Sequence, residues 1–394
     1  MKKGWENKRL GELCEVVGGG TPPKNKPAFY SGEIPWATVR DMRQEVITET
    51  EFRITKDAVK KSATNIIPAG NVIIATRVGL GKVCLIGQDT AINQDLRGIV
   101  PRSDKTLIVR YLYWWLKSIA DVIVAEGTGA TVQGVKLPFV KSLEIPLPPL
   151  PEQQRITGIL DEAFEGLATA KAHAEKNLQN ARALFESHLQ SIFLQRGPGW
   201  KQKTLEEIAT DFGRGKSKHR PRNEPKLYGG KYPFIQTGDV RNADHFITEY
   251  SQSYSEMGLA QSKLWPKGTI CITIAANIAE TAILSFDACF PDSVIGVVPD
   301  PKEADIGFVE YLLQSFKARL QSLGKGSAQA NINMGTFENE RFPFPPVADQ
   351  KHIVAKLDAL SEETQRLATL YTRKLTAMEA LKKSLLHEAF SGNL

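Results

Sequence analysis

The chain has 394 residues, room for two or more domains with proper cores. Hydrophobic residues at 42% and charged residues at 24% are ordinary globular values, and a net charge of +6 permits nucleic-acid binding without requiring it. No uninterrupted apolar stretch could span a bilayer, no apolar signal core follows Met1 to Glu6, and Cys14, Cys84, Cys271 and Cys289 lack CxxC spacing, so a cytoplasmic protein with reduced core thiols and no zinc site is expected.

Residues from about 4 to 145 read as mixed α/β. Asn71 to Thr76 is short and β-branched, bounded by Pro68-Ala69-Gly70 and Gly79, and predicts a buried strand. Arg97 to Pro101 predicts another. Leu107 to Val124 carries Tyr111, Leu112, Trp115 and Ile119 at helical spacing and predicts a core helix. Gly127-Thr128-Gly129-Ala130 ends it and opens a polar loop. A proline-rich segment then leads into a long helix from about Glu152 to Gln195. Its apolar seam, Ile156, Leu160, Ala163, Leu167, Ala170 and Ala174, steps by four and three. The register then slips by one extra step through Leu178, Ala181, Phe185 and Ile192. Gly197-Pro198-Gly199 stops the helix.

The second half follows the same plan. Ile270 to Ile274 and Gly296 to Pro299 predict strands, Phe308 to Leu323 a helix, and Gly324-Lys325-Gly326-Ser327 a loop. A second long helix runs from about Asp349 to Ala389, with a seam of Ile353, Leu357, Leu360, Leu367, Tyr371, Met378, Leu381 and Leu385, broken at Thr364 and Lys374. The chain is written twice. Pro146-Leu147-Pro148-Pro149-Leu150-Pro151-Glu152-Gln153-Gln154-Arg155-Ile156 returns 197 positions later (146 to 343) as Pro343-Phe344-Pro345-Pro346-Val347-Ala348-Asp349-Gln350-Lys351-His352-Ile353. Gly4-Trp5, Asp41-Met42-Arg43 and Pro68-Ala69-Gly70 likewise return as Gly199-Trp200, Asp239-Val240-Arg241 and Pro266-Lys267-Gly268. A period near 200 is too long for a solenoid and marks a duplicated domain.

The expected fold class is α/β (mixed) globular domains, duplicated and separated by two long helices. A 3.5-residue seam wants a partner helix, so the two are expected to form an antiparallel coiled coil within a pseudo-two-fold molecule. The expected segments are a globule over 1–150, a central helical spacer over 151–197, a second globule over 198–346 and a C-terminal helical spacer over 347–394. The alternative is that each helix packs on its own globule.

Catalytic motifs are missing. Phe344-Pro345-Pro346-Val347 lacks the Asn or Asp that a DNA methyltransferase places before its prolines. Gly18-Gly19-Gly20-Thr21-Pro22-Pro23 is a glycine-rich turn blocked by two prolines. Gly215-Lys216-Ser217 resembles the end of a phosphate loop, but Thr210 stands where that loop needs Gly. Pro291-Asp292 is not followed by a nuclease Glu-x-Lys. The six histidines are scattered, and His173, His188, His352 and His387 are expected on solvated faces of the long helices. The chain therefore reads as no enzyme, with no metal or cofactor of its own.

The basic run from Phe212 to Arg222 places Arg214, Lys216, Lys218, Arg220 and Arg222 at every second position. In an extended segment these would share a face and could meet one phosphate strand. Its counterpart, Gly18 to Lys26, carries Lys24 and Lys26. The segment after each Pro-Trp or Pro-Phe strand holds Arg40 and Arg43 in one copy, Gln236 and Arg241 in the other. The glycine-rich loops hold Thr131, Gln133 and Lys136, and then Lys325, Ser327, Gln329, Asn331 and Asn333. Gln, Asn and Arg are the residues that pair with adenine and guanine edges in the major groove. Framework positions agree between copies while these loops differ, as for two readers of different sequences. A coiled-coil scaffold with two protein-binding globules is the competing reading, and the basic run argues against it.

Ser31-Gly32-Glu33-Ile34-Pro35-Trp36 with Asp41, then Ile145 to Ile156 leading into a long helix, return as Tyr232 to Val240 and Phe342 to Pro346. On these motifs the chain resembles, over almost its whole length, the specificity subunit of type I restriction-modification systems. The second copy replaces Pro-Glu-Gln by Ala348-Asp349-Gln350, and Asp349 still suits the first turn of a helix. The resemblance implies two target recognition domains, each reading one half of a split, asymmetric site in double-stranded DNA. It also implies helices that set the spacing, two docked adenine-N6 DNA methyltransferase subunits, and restriction/translocase subunits. S-adenosylmethionine, ATP and Mg2+ would belong to those partners.

Overall fold

The computed structural model describes residues 4–127, 134–218, 221, 224–275, 278–324 and 334–394. It divides into two compact units, one of Met1–Glu175 with Thr372–Leu394, the other of Lys176–Tyr371. The consecutive segments of the sequence thus regroup. Each unit holds one globule, half of the first long helix and half of the second.

The first unit is built on a five-stranded sheet in the order Cys14–Gly18, Leu96–Pro101, Val72–Ala75, Val83–Ile86, Val46–Ile47. Its neighbours are antiparallel except for the last pair, which is parallel. All four residues of Val72–Ala75 are buried, as a short apolar run without alternation requires. A second sheet orders Phe52–Ile54, Ile34–Ala37, Thr90–Ile92 and Asn65–Ile67. The second unit repeats the five-stranded sheet as Ala209–Arg214, Val294–Pro299, Ile270–Thr273, Thr281–Leu284 and Phe246–Ile247, again with one parallel edge. Its smaller sheet pairs Tyr228–Phe234 with Gln252–Tyr254.

The helix expected over Leu107 to Val124 is two helices, Val109–Ser118 and Ala120–Ala125. The backbone leaves helical geometry at Ile119 (φ −101°, ψ 13°), whose N–H still donates to the Trp115 carbonyl at 3.2 Å. Residues 111–116 are all buried, so this helix is core on every side. Its counterpart, Ile306–Gly324, is unbroken.

The long helices are Leu150–Leu194 and Val347–Ser391, 45 residues each. In the first unit Lys171 Nζ lies 3.0 Å from Glu379 Oε1, and Asp161, Phe164 and Ala168 border the same cleft as Lys382 and Leu386. In the second unit Ala181 and Phe185 border a cleft with Ser361 and Thr364. Numbers rise along one helix as they fall along the other, so the pair is antiparallel. Packing on the helix's own globule is present at the start of each, Ile156 and Leu160 in the core of the first and Leu357 in that of the second. The far ends pack in the other globule's core, Ala389 in the first and Leu189 and Phe193 in the second. The second seam departs from expectation at Leu381, which is 47% exposed. Thr364, read as a break, is buried, its hydroxyl donating to the Leu360 carbonyl at 2.8 Å.

The repeated glutamine explains why each long helix starts where it does. Gln153 and Gln350 are both fully buried. Gln153 Oε1 accepts from the Ile108 N–H at 3.0 Å, and its Nε2 donates to the Thr106 and Pro148 carbonyls at 2.9 Å each. Gln350 Oε1 accepts from the Asp305 N–H at 2.8 Å, and its Nε2 donates to the Glu303 and Pro345 carbonyls at 3.2 and 2.9 Å. One amide therefore saturates three buried backbone groups where globule meets helix. A second duplicated tie lies one helical stretch further on. The Trp114 indole donates to Asp161 Oδ1 at 2.7 Å, and the Tyr311 hydroxyl to Asp358 Oδ1 at 2.7 Å.

Candidate nucleic-acid interface

Three segments of the first unit meet around residues 93–95. The glycine-rich loop comes first. Gly20 N–H donates to the Ile92 carbonyl at 3.0 Å, and the Thr21 hydroxyl donates to the Gln94 side-chain oxygen. A Cβ on Gly19 would stand 1.9 Å from the Asn93 carbonyl oxygen, so only glycine fits. The Trp36 indole and the buried Thr64 hydroxyl both donate to the Gly20 carbonyl, at 3.2 and 2.6 Å.

The second segment is the short 3-10 turn Val39–Asp41. Thr38 N–H donates to Asp41 Oδ2 at 2.7 Å and Arg40 N–H to the Thr38 hydroxyl at 3.2 Å, a reciprocal cap. Arg40 and Arg43 stand exposed on it. Arg43 Nε donates to the Arg40 carbonyl at 2.8 Å, and Arg40 lies 3.6 Å from Glu51. The third segment is tied in through Thr76. Its N–H donates to the Asp95 carbonyl at 2.8 Å, and its carbonyl accepts from Val135 N–H at 2.9 Å. That brings exposed Lys136, and exposed Arg77, beside the same loop. Lys24, Trp36, Arg40 and Gln94 line an open cleft of about 670 Å³. Lys26 lies over the Phe29 ring, 5.4 Å from its centroid. Thr131 and Gln133 lie outside the described residues.

In the second unit the strand ends at Arg214, short of the extended run expected from the alternating charges. The reason is local. Gly215 approaches the Phe290 backbone so closely that a Cβ would meet its carbonyl oxygen at 2.2 Å, and its N–H makes a last bond to the Val294 carbonyl at 2.9 Å before regular pairing stops. Exposure still alternates from Arg214 to Lys218, with Gly215 buried between exposed Arg214 and Lys216. Arg214 Nε donates to the Asp292 carbonyl at 2.7 Å, so this guanidinium braces a loop. Lys216 and Lys218 remain exposed. Gln236 caps the helix Thr237–Asn242, its N–H donating to Asp239 Oδ2 at 2.7 Å and its Nε2 to Gln252 Oε1 at 2.8 Å. Arg241 is exposed on the same helix. Arg220, Arg222, Lys325, Ser327, Gln329, Asn331 and Asn333 lie outside the described residues.

Sequence reasoning missed Thr21, Arg77, Gln94 and Asp95. The polar run Asn93-Gln94-Asp95 between two apolar strands was the available signal. It also missed a buried ion pair. His245 Nδ1 lies 2.8 Å from Glu310 Oε2, close but poorly aligned as a hydrogen bond, and Glu310 is fully buried. Thr281 and Gln314 donate to its other oxygen. Burial opposes the imidazolium, yet the bond to Glu310, its charge and those of Asp358 and Asp244 outweigh it and raise the His245 pKa. His173, His188, His352 and His387 are exposed on the long helices. The four cysteines are free and buried, and burial pushes the Cys14 thiol up to about 12 despite Arg102. Among the described residues no helix is long and apolar enough to cross a membrane.

The model of the type I restriction modification DNA specificity domain matches residues 2–178 and again residues 198–372, so the chain belongs to that family. Over 164 residues the chain is 38% identical to the Escherichia coli EcoR124I/EcoR124II specificity subunit, a stretch covering 40% of each protein. Two solved structures share the fold along the whole chain. One, from a study of complex assembly and conformational transition in the type I R-M system, has a TM-score of 0.81 at 21% identity and 99% coverage of that chain. The other, the HsdS subunit of Thermoanaerobacter tengcongensis, has a TM-score of 0.68 at 20% identity and 98% coverage. The specificity class is a non-catalytic, DNA-recognising one.

Proposed function

We propose that this chain selects the DNA site of a type I restriction-modification complex. The observation that carries the reading is the convergence, in one unit, of Lys24, the capped Arg40–Arg43 turn and Lys136 around an exposed polar loop. Cations there would hold phosphates, which fixes register, while side chains at the loop would read base edges. Frameworks agree between the units and loops do not, so each unit would read its own half of a split, asymmetric site. The antiparallel helices would carry two adenine-N6 methyltransferase subunits, with restriction/translocase subunits added to them. S-adenosylmethionine, ATP and Mg2+ would act in those partners, in the cytoplasm.

The test is duplex affinity as a function of salt, measured on the chain assembled with its methyltransferase partner. Log affinity should fall linearly with log salt. Replacing Lys216 and Lys218 with Ala should lower the slope by about two, roughly one per phosphate contact, without changing the preferred sequence. A protein-binding scaffold would instead show no salt-dependent affinity for duplex.

A further inference from the structure

Gln94 is an exposed amide on an unusually well-braced loop. Asn93 Nδ2 donates to Asp95 Oδ2 at 3.0 Å, and Asp95 N–H donates back to Asn93 Oδ1 at 3.1 Å. Arg97 donates to the Gln94 carbonyl at 3.1 Å, and Thr76 N–H holds the Asp95 carbonyl at 2.8 Å. The backbone under Gln94 is therefore fixed before any ligand arrives. Its side chain is oriented too. The Thr21 hydroxyl, able to donate to Oε1 or to accept from Nε2, ties the amide end in place. Either way Nε2 keeps a donor and Oε1 a lone pair, side by side.

We infer that Gln94, oriented by Thr21, reads an adenine in the half-site bound by the first unit. The inference rests on the DNA-reading function proposed above. An adenine edge offers an acceptor at N7 beside a donor at N6, which matches a Gln amide in bidentate fashion. Guanine offers two acceptors there and satisfies only Nε2. The same cleft exposes Phe52 and Val78, 39% and 54% accessible, apolar surface suited to the methyl group of the paired thymine. Lys24 and Arg40 on its rim supply the phosphate contacts. Strand registers show that the second unit does not share this reader. Leu96 pairs with Ala75 as Val294 pairs with Thr273, so Asp292 occupies the position of Gln94.

The test is selection from a duplex pool in which the first half-site is randomised, using the chain assembled with its methyltransferase subunit. The wild type should enrich adenine strongly at one position. Gln94→Ala should reduce the preference there by roughly ten- to a hundredfold and leave every other position, including the second half-site, as it was. Thr21→Val should keep the adenine but weaken the preference, since the amide is no longer oriented. An unchanged adenine preference in Gln94→Ala, or an equal loss at all positions, would overturn the assignment. If the wild type itself enriched no sequence, the DNA-reading function would fail instead, and the two failures are told apart by that control.

Discussion

His245 shows what a buried partner does to a titrating side chain. Its imidazolium faces Glu310, with Asp244, Asp358 and the Tyr311 ring around it, the ring 5.0 Å away and nearly parallel. Because the folded pKa is raised above 6.5, the pair contributes its full stability below that pH, where the unfolded imidazole is also charged. The contribution is lost as pH rises through the folded value. His245→Gln should therefore cost most at low pH, with the difference from wild type shrinking as pH rises above 6.5 and through the folded value. Urea unfolding of both proteins across that range checks it. A difference independent of pH would mean that folding leaves the imidazole's affinity for its proton unchanged, and a cost that grew with pH would mean that the folded site holds it neutral. This residue was not legible in the sequence, because Glu310 lies 65 positions away (245 to 310) inside an apolar helix.

The elements were largely legible. Strand positions in both globules, the two long helices and most of their seams follow from periodicity and from proline and glycine stops. The failures have local causes. The helix after Leu107 divides where Ile119 leaves helical geometry, and Leu381 leaves the seam as half-buried Lys382 takes its place. The motif that reveals the family had a structural meaning that sequence alone could not give. Of the two glutamines in Pro151-Glu152-Gln153-Gln154, the first is buried and bonds three backbone groups, while the second is exposed. In the second copy Gln350 is kept and the next position is an exposed Lys351. Gln153→Ala should strand an N–H and two carbonyls, at about 1–3 kcal/mol for each that water cannot reach. Gln154→Ala should stay within about 0.5 kcal/mol of wild type. Denaturant unfolding of the two variants checks this, and equal effects would show that the clamp is not what fixes the helix start.

At the scale of the whole chain, the duplication was visible at once, but the compact units were not. Linear reading gives globule, helix, globule, helix. The structure joins each globule to halves of both helices, because the end of the second helix packs with the start of the first. Candidate interface residues were only partly legible, for a related reason. Charge runs can be seen in sequence, whereas Thr21 meets Gln94 only because Gly18 pairs with Arg97, and Arg77 joins them through the pairing of Ala75 with Leu96. The central claim is that the two units read two different short sequences. Mapping of methylated adenines in the genome of cells that express this chain with its methyltransferase partner tests it most directly. The account predicts one methylated motif in two unlike parts, separated by bases that are not read. A single continuous motif, two identical halves, or methylation that does not depend on this chain would contradict it.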